Sequence, residues 1–368
     1  DEKRYFASGN ETCLFEINGV TAALSICEDI WVEKPTADAT TKNAKILFNI
    51  NASPYDKNKN SERETIISKR ASEFGVYIVY VNLVGGQDEL IFDGNSMIFD
   101  NNGKIIFKAP EFKAGLYKAH INIEETKINK QIECEPTLSK EESTYNALVI
   151  GVKDYVRKNN FQGVIIGLSG GIDSALTLCI AVDALGPENV EALIMPSRYT
   201  AKMSVDDACE LAKKLKVSYE IISIEPPFTS FLQALKPIFK ELPIDATEEN
   251  IQARSRGILL MAISNKYNKL VLTTGNKSEM SVGYATLYGD MAGGYSPLKD
   301  VWKTLVYQLA KWRNKEQKII PENIINRPPT AELRDNQLDQ DTLPDYEILD
   351  PILEQYIEFD KHPEEIIK

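Results

Sequence analysis

Val164–Ile180 reads VIIGLSGGIDSALTLCI. An apolar run gives way to a turn of Gly and Ser, and a second apolar run follows. That order predicts a buried strand, a tight loop and a helix. Gly170 and Gly171 let the backbone approach a ligand closely, and the amides opening the helix favour an anion. Ser169 and Ser174 add hydroxyl donors. No Gly-Lys-Ser/Thr ending is present, so this is not the common nucleotide loop. Asp173 stands where a phosphate is expected. A carboxylate beside polyphosphate is repelled unless a divalent cation lies between them, and Mg2+ takes both kinds of oxygen. An ordinary strand–helix turn with a Ser cap would explain a bare Gly-Gly pair, but not the whole of SGGIDS between a strand and a helix.

Outward from this loop the chain alternates. GVIIGL, VEALIMP, SYEIISI and KLVLTT are strand-like, and SALTLCIAVDAL, SVDDACELAKKLK and TEENIQARSRGILLMAISNKY are helix-like. Alternation predicts a doubly wound parallel sheet over 141–368, with ligands at the carboxyl ends of its strands. SGGIDS, PSRYT and TTGNKSE all fall there. Residues 1–120 are rich in strand signals: VTAALSI, KILFNI, VYIVYVNLV, then FDGNSMIFD and GKIIFKA around an Asn101-Asn102-Gly103 turn. Ser61 to Phe74 reads as a helix between two of them. Residues 121–140 lose periodicity and gain charge, and are expected to be a linker.

Composition narrows the function. The 368 residues suit about two domains. A net charge of -12 argues against nucleic acid as a partner. No apolar run approaches the length of a membrane span, which argues against a membrane partner. Five scattered cysteines without a CxxC pair favour reduced thiols in the cytoplasm. With two histidines, His120 and His362, a His-based triad or His-rich metal site is improbable. The chain opens on Asp1 rather than Met and is expected to be part of something longer.

SGGIDS resembles the pyrophosphate loop of ATP pyrophosphatases, which adenylate a substrate and release pyrophosphate. The resemblance implies an adenine nucleotide alpha hydrolase-like fold and assigns Gly167, Leu168, Ser169, Gly170, Gly171, Ile172, Asp173 and Ser174 to ATP. The stretch 273–312, TTGNKSEMSVGYATLYGDMAGGYSPLKDVWKTLVYQLAKW, resembles the NAD synthetase signature. IINRPPTAELRDNQLDQDTLPDYEILD, at 324–350, is similar to its glutamine-dependent branch, as is Leu287 where the ammonia-dependent branch commonly has Lys. This resemblance implies that Thr274 and Lys303 contact ATP. It places Asn250, Arg254 and Glu279 against deamido-NAD+, and Asp173, Glu279 and Asp290 on Mg2+. Asn250 and Arg254 lie four apart, on one helix face. The bland alternative for Glu279 and Asp290 is solvated loop charge; for Arg254 and Lys303 it is an exposed helix position. The implied reaction is amidation of deamido-NAD+ through an acyl adenylate, yielding NAD+, AMP and pyrophosphate.

ALSICEDIW ends an apolar strand with Cys27. A buried core thiol is the ordinary interpretation of such a cysteine. Its context, with NASPYDKNK and FDGNSMIFD, resembles nitrilase-type glutaminases, which fold as an α-β-β-α sandwich. There a cysteine nucleophile is activated by glutamate and lysine, in keeping with the scarcity of histidine. Cys27 is then the nucleophile, and Ser53 and Lys59 hold L-glutamine, whose hydrolysis supplies ammonia. The family's activating Glu and Lys precede DEKRYF, and its C-terminal tail follows Lys368, so the sandwich and its site are expected to be incomplete here. Domains of this type often pair through their sheets, which implies a homo-oligomer. Two alternatives stay open: another amidating ligase with the same loop, and a non-catalytic nucleotide-binding scaffold.

Overall fold

The computed structural model describes residues 4–7, 9, 11–123 and 134–367. Half of the expected linker, 124–133, lies outside the described residues. The chain divides into two compact units, Asp1–Ile150 and Gly151–Lys368.

The first unit is built on a six-stranded sheet. Its strands are β1 (Cys13–Ile17), β2 (Val20–Ile26), β3 (Ile46–Asn51), β4 (Tyr77–Asn82), β7 (Met97–Phe99) and β8 (Ile105–Lys108), while β5 (Val84–Gln87) and β6 (Leu90–Asp93) form a separate hairpin. The six run in the order β1-β2-β3-β4-β7-β8, with β2, β3 and β4 parallel and the outer pairings antiparallel. Helices α1 (Glu33–Thr41) and α2 (Lys59–Phe74) return the chain between the parallel strands. Period-two alternation sorts the side chains. Ala23, Leu47, Ile78 and Met97 pack under Ala39, Ile67 and Ala71 of the helices, while Ala22, Ile46, Tyr77 and Ile98 form a core on the opposite face. One sheet of the expected sandwich, with its helical layer, is therefore present. At the hairpin turn Gly103 has φ +81°, and a Cβ there would lie 2.5 Å from Ser68 O. β1, an antiparallel edge strand with every residue exposed, went unread in the sequence.

Helix α3 (Lys140–Lys158) contains the division between the units. The second unit holds four parallel strands: β9 (Val164–Gly167), β10 (Val190–Ile194), β11 (Ser218–Ile221) and β12 (Leu270–Leu272), ordered β11-β10-β9-β12. Val164, Ile165 and Ile166 are wholly buried, as expected of a parallel strand covered on both faces. The connections are α4 (Ile172–Leu185), α5 (Lys202–Lys214), α6 (Glu225–Phe239) and α7 (Ala246–Tyr267). The chain winds outward from β9 to β11, then crosses to place β12 on the other side of β9. That reversal opens a crevice beyond the carboxyl ends of β9 and β12. Short helices α8 (Lys277–Val282) and α10 (Glu322–Asn326), with α9 (Lys303–Arg313) and α11 (Tyr346–Ile357), complete the unit's principal helices. Among the described residues no helix is long and apolar enough to cross a membrane.

Candidate active site

A cavity of about 510 Å³ opens at the carboxyl ends of β9, β10 and β12. Its floor is the SGGIDS loop. Ser169 and Ser174 hydroxyls lie 3.0 Å apart, Ser174 Oγ donates to Gly171 O, and Gly171 N donates to Ser169 Oγ. The loop thus holds its own shape, with the N-terminus of α4 aimed at the space above. Gly167, Leu168, Ser169, Gly171, Ile172, Asp173 and Ser174 line the cavity. Gly170 stands behind them with φ +81°, and a Cβ on it would meet Ser204 O at 2.3 Å. Its carbonyl accepts from Arg327 Nη2 at 2.9 Å.

The loop after β12 supplies the opposite wall. Asn276 is the N-cap of α8, accepting from Glu279 N at 3.0 Å, while Asn276 N donates to Glu279 Oε2. This reciprocal capping box puts Glu279 beside the loop. Asn276 Nδ2 donates to Asp173 Oδ1 at 2.9 Å. Lys303, the first residue of α9, sends Nζ to Asp173 Oδ2 at 2.5 Å and to Glu279 Oε1 at 3.1 Å. Burial and the neighbouring Asp173 push the Glu279 carboxyl up to about 7. Burial works against the charge on Lys303 but is outweighed by the two carboxylates, which hold its ammonium well above the usual lysine value.

The other expected residues are placed unequally. Thr274 and Asn250 line the cavity, and Asn250 Oδ1 accepts from Thr286 Oγ1 at 2.8 Å. Asp290 also lines it, but its Oδ1 is engaged by Thr286 N at 2.6 Å. Among the described residues no three acidic, histidine or cysteine side chains come together as a metal cluster, so the expected three-carboxylate set is not assembled. Lys303 occupies the space between two of its members, and Asp290 closes its own loop. Arg254 is exposed, donates to Leu287 O, and lies outside the lining. Arg256, two residues on, lines the cavity instead, with Nε donating to Met195 O at 3.1 Å. Burial pulls it down to about 10, against the opposing influence of the Glu332 carboxylate, which also lines the cavity.

In the first unit Cys27 follows β2 with φ +47°, an uncommon conformation for a residue with a side chain. Asp29 Oδ2 accepts from Ile26 N at 2.8 Å and fixes the turn, while Asn49 Nδ2 donates to Cys27 O at 3.5 Å. Ser53 is buried. Its backbone N–H donates to Asn82 Oδ1, and its O and Oγ accept from Arg63 Nη2 at 3.0 and 3.1 Å. Arg63 is itself paired with Asp93, both 1% exposed. Lys59 Nζ lies 5.9 Å from the centre of the Trp31 ring.

Two family models cover the chain: carbon-nitrogen hydrolase over residues 1–129 and NAD synthase over 144–368. The glutamine-dependent NAD+ synthetase of Acinetobacter baylyi is 50% identical over 369 residues, covering all of this chain and 68% of the relative. The chain belongs to the glutamine-dependent NAD+ synthetase family. The Aquifex aeolicus synthetase of the same name is 43% identical and is covered to 70%. The solved synthetase of Acinetobacter baumannii, in complex with ADP, superposes with a TM-score of 0.86 at 48% identity, covering 100% of this chain and 67% of that one. Membership makes the chain an ATP-using ligase that amidates deamido-NAD+ with ammonia drawn from glutamine. It also fits the cavity around SGGIDS and the positive-φ turn at Cys27. In this synthetase the signal for Asn276 was readable as an N-x-x-E capping pattern in GNKSE. The signal for Arg256 was not, because its placement depends on β10.

Proposed function

We propose that the cavity of the second unit binds ATP and deamido-NAD+, with the nucleotide's phosphates on the SGGIDS loop. The observation that carries this is Lys303 bridging Asp173 and Glu279 above the open N-terminus of α4. Loop amides and the helix dipole receive the leaving pyrophosphate, and Lys303 offsets the charge it carries. Thr274 serves the ATP side and Asn250 the dinucleotide side. Arg256, at the cavity wall, faces substrate anions. The nicotinate carboxylate bonds to the α-phosphorus as the bond to the β-phosphate oxygen breaks. Ammonia then adds at the acyl carbon, AMP departs, and the nitrogen loses a proton. The chain's contribution is to bring the two reactants together and exclude water.

Asp173, at the SGGIDS loop, would hold Mg2+, which needs only one or two carboxylates when phosphate oxygens complete its shell, while Lys303 stands between it and Glu279. Bound there, the ion neutralises phosphate charge. Asp290 stays outside that set. In the first unit Cys27 Sγ adds to the amide carbonyl of glutamine, the C–N bond breaks and ammonia leaves with the thiol proton, and water then cleaves the thioester to release glutamate, with Ser53 and Lys59 orienting the substrate. We assign 1–120 to the glutaminase, 121–140 to the linker and 141–368 to the synthetase, in a cytoplasmic homo-oligomer.

NAD+ formation from deamido-NAD+, ATP and Mg2+ tests this, with nitrogen from glutamine or from ammonium. Cys27→Ala is expected to lose the glutamine reaction alone, and Asp173→Asn both. Loss of the ammonium reaction in a folded Cys27→Ala protein would reject the two-site assignment.

A further inference from the structure

The cluster of Asp173, Glu279 and Lys303 is drawn from three segments, and a fourth holds two of them. Asp350, on α11, is 4% exposed and does not line the cavity. Its Oδ2 accepts from Thr304 N at 2.8 Å, and its Oδ1 accepts from Ser278 Oγ at 2.5 Å. Ser278 Oγ in turn accepts from Lys303 N at 2.9 Å. The residue preceding α9 is Trp302, which supplies no side-chain cap. The amides that open α9 are therefore satisfied by Asp350 and Ser278 from elsewhere in the chain. A carboxylate also suits the positive end of that helix. Ser278 neighbours Glu279 on α8, so the same contacts fix both cationic and anionic members of the cluster. One turn earlier on α11, Tyr346 places its ring centre 5.5 Å from Lys303 Nζ.

We propose that Asp350 is a positioning residue for the synthetase reaction, setting the start of α9 so that Lys303 stands between Asp173 and Glu279. This rests on the assignment of that cluster to the nucleotide's phosphates. An ordinary cap residue would anchor α9 alone. Asp350 anchors α9 and α8 together, which is what a shared ion cluster requires.

The test is ammonium-supported NAD+ formation by the complete enzyme, with kcat and KM for ATP measured well below each variant's Tm. Asp350→Ala is expected to lower kcat/KM for ATP about 10- to 100-fold, the range set by one charge-assisted hydrogen bond. Asp350→Asn keeps an acceptor for Thr304 N and should recover most of the loss. Lys303→Met should lower activity too, and the double variant with Asp350→Ala should be no worse than Lys303→Met alone. A lowered Tm with unchanged kinetics in Asp350→Ala would overturn the proposal, as would losses that multiply in the double variant. If Lys303→Met keeps wild-type kinetics, the phosphate-site assignment falls and takes this proposal with it. Ser278→Ala removes one hydroxyl and carries the same comparison should Asp350→Ala fail to fold.

Discussion

Replacing Arg63 by Met should cost the first unit several kcal/mol. The guanidinium is 1% exposed and meets the Asp93 carboxylate with Nη1 at 2.9 and 2.8 Å. The same group serves Ser53 O, Ser53 Oγ and Pro54 O from Nη2, at 3.0, 3.1 and 2.9 Å. Methionine fills much of the volume but leaves the Asp93 carboxylate, among the described residues, with a 3.3 Å contact from Asn82 Nδ2. Removing one partner of a buried pair costs about 3–5 kcal/mol. Pro54 O loses its donor and Ser53 O keeps a 3.4 Å contact from Asn82 Nδ2, which pushes the sum toward the upper end of that range. Against a domain stability of about 5–15 kcal/mol, the variant is at the edge of folding. Arg63→Lys keeps the charge without the fork and should fall between the two. Hydrogen exchange in urea, followed in peptides covering β3 and β4, measures the effect on this unit directly. The glutamine reaction should fail at lower urea than in wild type, while the ammonium reaction keeps its midpoint. If Arg63→Met shifts the unit by less than about 1 kcal/mol, Asp93 is not held as a buried charge and the reasoning is refuted.

The second unit offers two simple tests. Gly170→Ala, with a Cβ 2.3 Å from Ser204 O and φ +81°, should displace the phosphate loop and depress NAD+ formation from glutamine and ammonium alike. Arg256→Ala should raise a substrate KM roughly 10-fold or more, since charge-assisted contacts contribute about 1.5–3 kcal/mol, with Arg256→Lys intermediate in steady-state kinetics. Burial raises the Glu111 carboxyl above 4.5 despite its contacts with Ser143 and Leu138. The folded state therefore holds the extra proton between 4.5 and that raised value, and stability falls as pH climbs through the window. Glu111→Gln cannot ionise, so its denaturation midpoint should gain on wild type between pH 4 and pH 7; a constant difference would contradict the assignment.

Much of this was legible because it is local. The strand–loop–helix of VIIGLSGGIDSALTLCI, the Asn101-Asn102-Gly103 turn and the α2 helix all follow from neighbours in the chain. Alternation of strand and helix also pointed to the parallel sheet of the second unit, which is observed. What escaped notice depends on distance. Lys303 meets Asp173 across 130 residues, and no spacing rule connects them. Asn250 and Arg254 share a helix face by arithmetic, yet packing of α7 against β9 and β12, with Arg256 Nε donating to Met195 O, turns Arg256 rather than Arg254 toward the cavity. Asp290 has the right residue type beside the right motif, but a single backbone amide at Thr286 decides where its carboxylate goes. α6 was left unassigned in the sequence; its Pro-Pro pair opens the first turn, where proline leaves a helix intact.

The capping box of α8 has a consequence for how this site can change over time. Glu279 closes the first turn of its helix and faces Asp173 and Lys303 with the same carboxylate. A random replacement there disturbs a folding signal and a charge arrangement at once. Drift that spared the chemistry would still meet the penalty of an open helix end, and drift that spared the helix would still meet the chemistry. Selection acting on either property alone keeps the residue, so its persistence through a lineage would not reveal which of the two was being preserved.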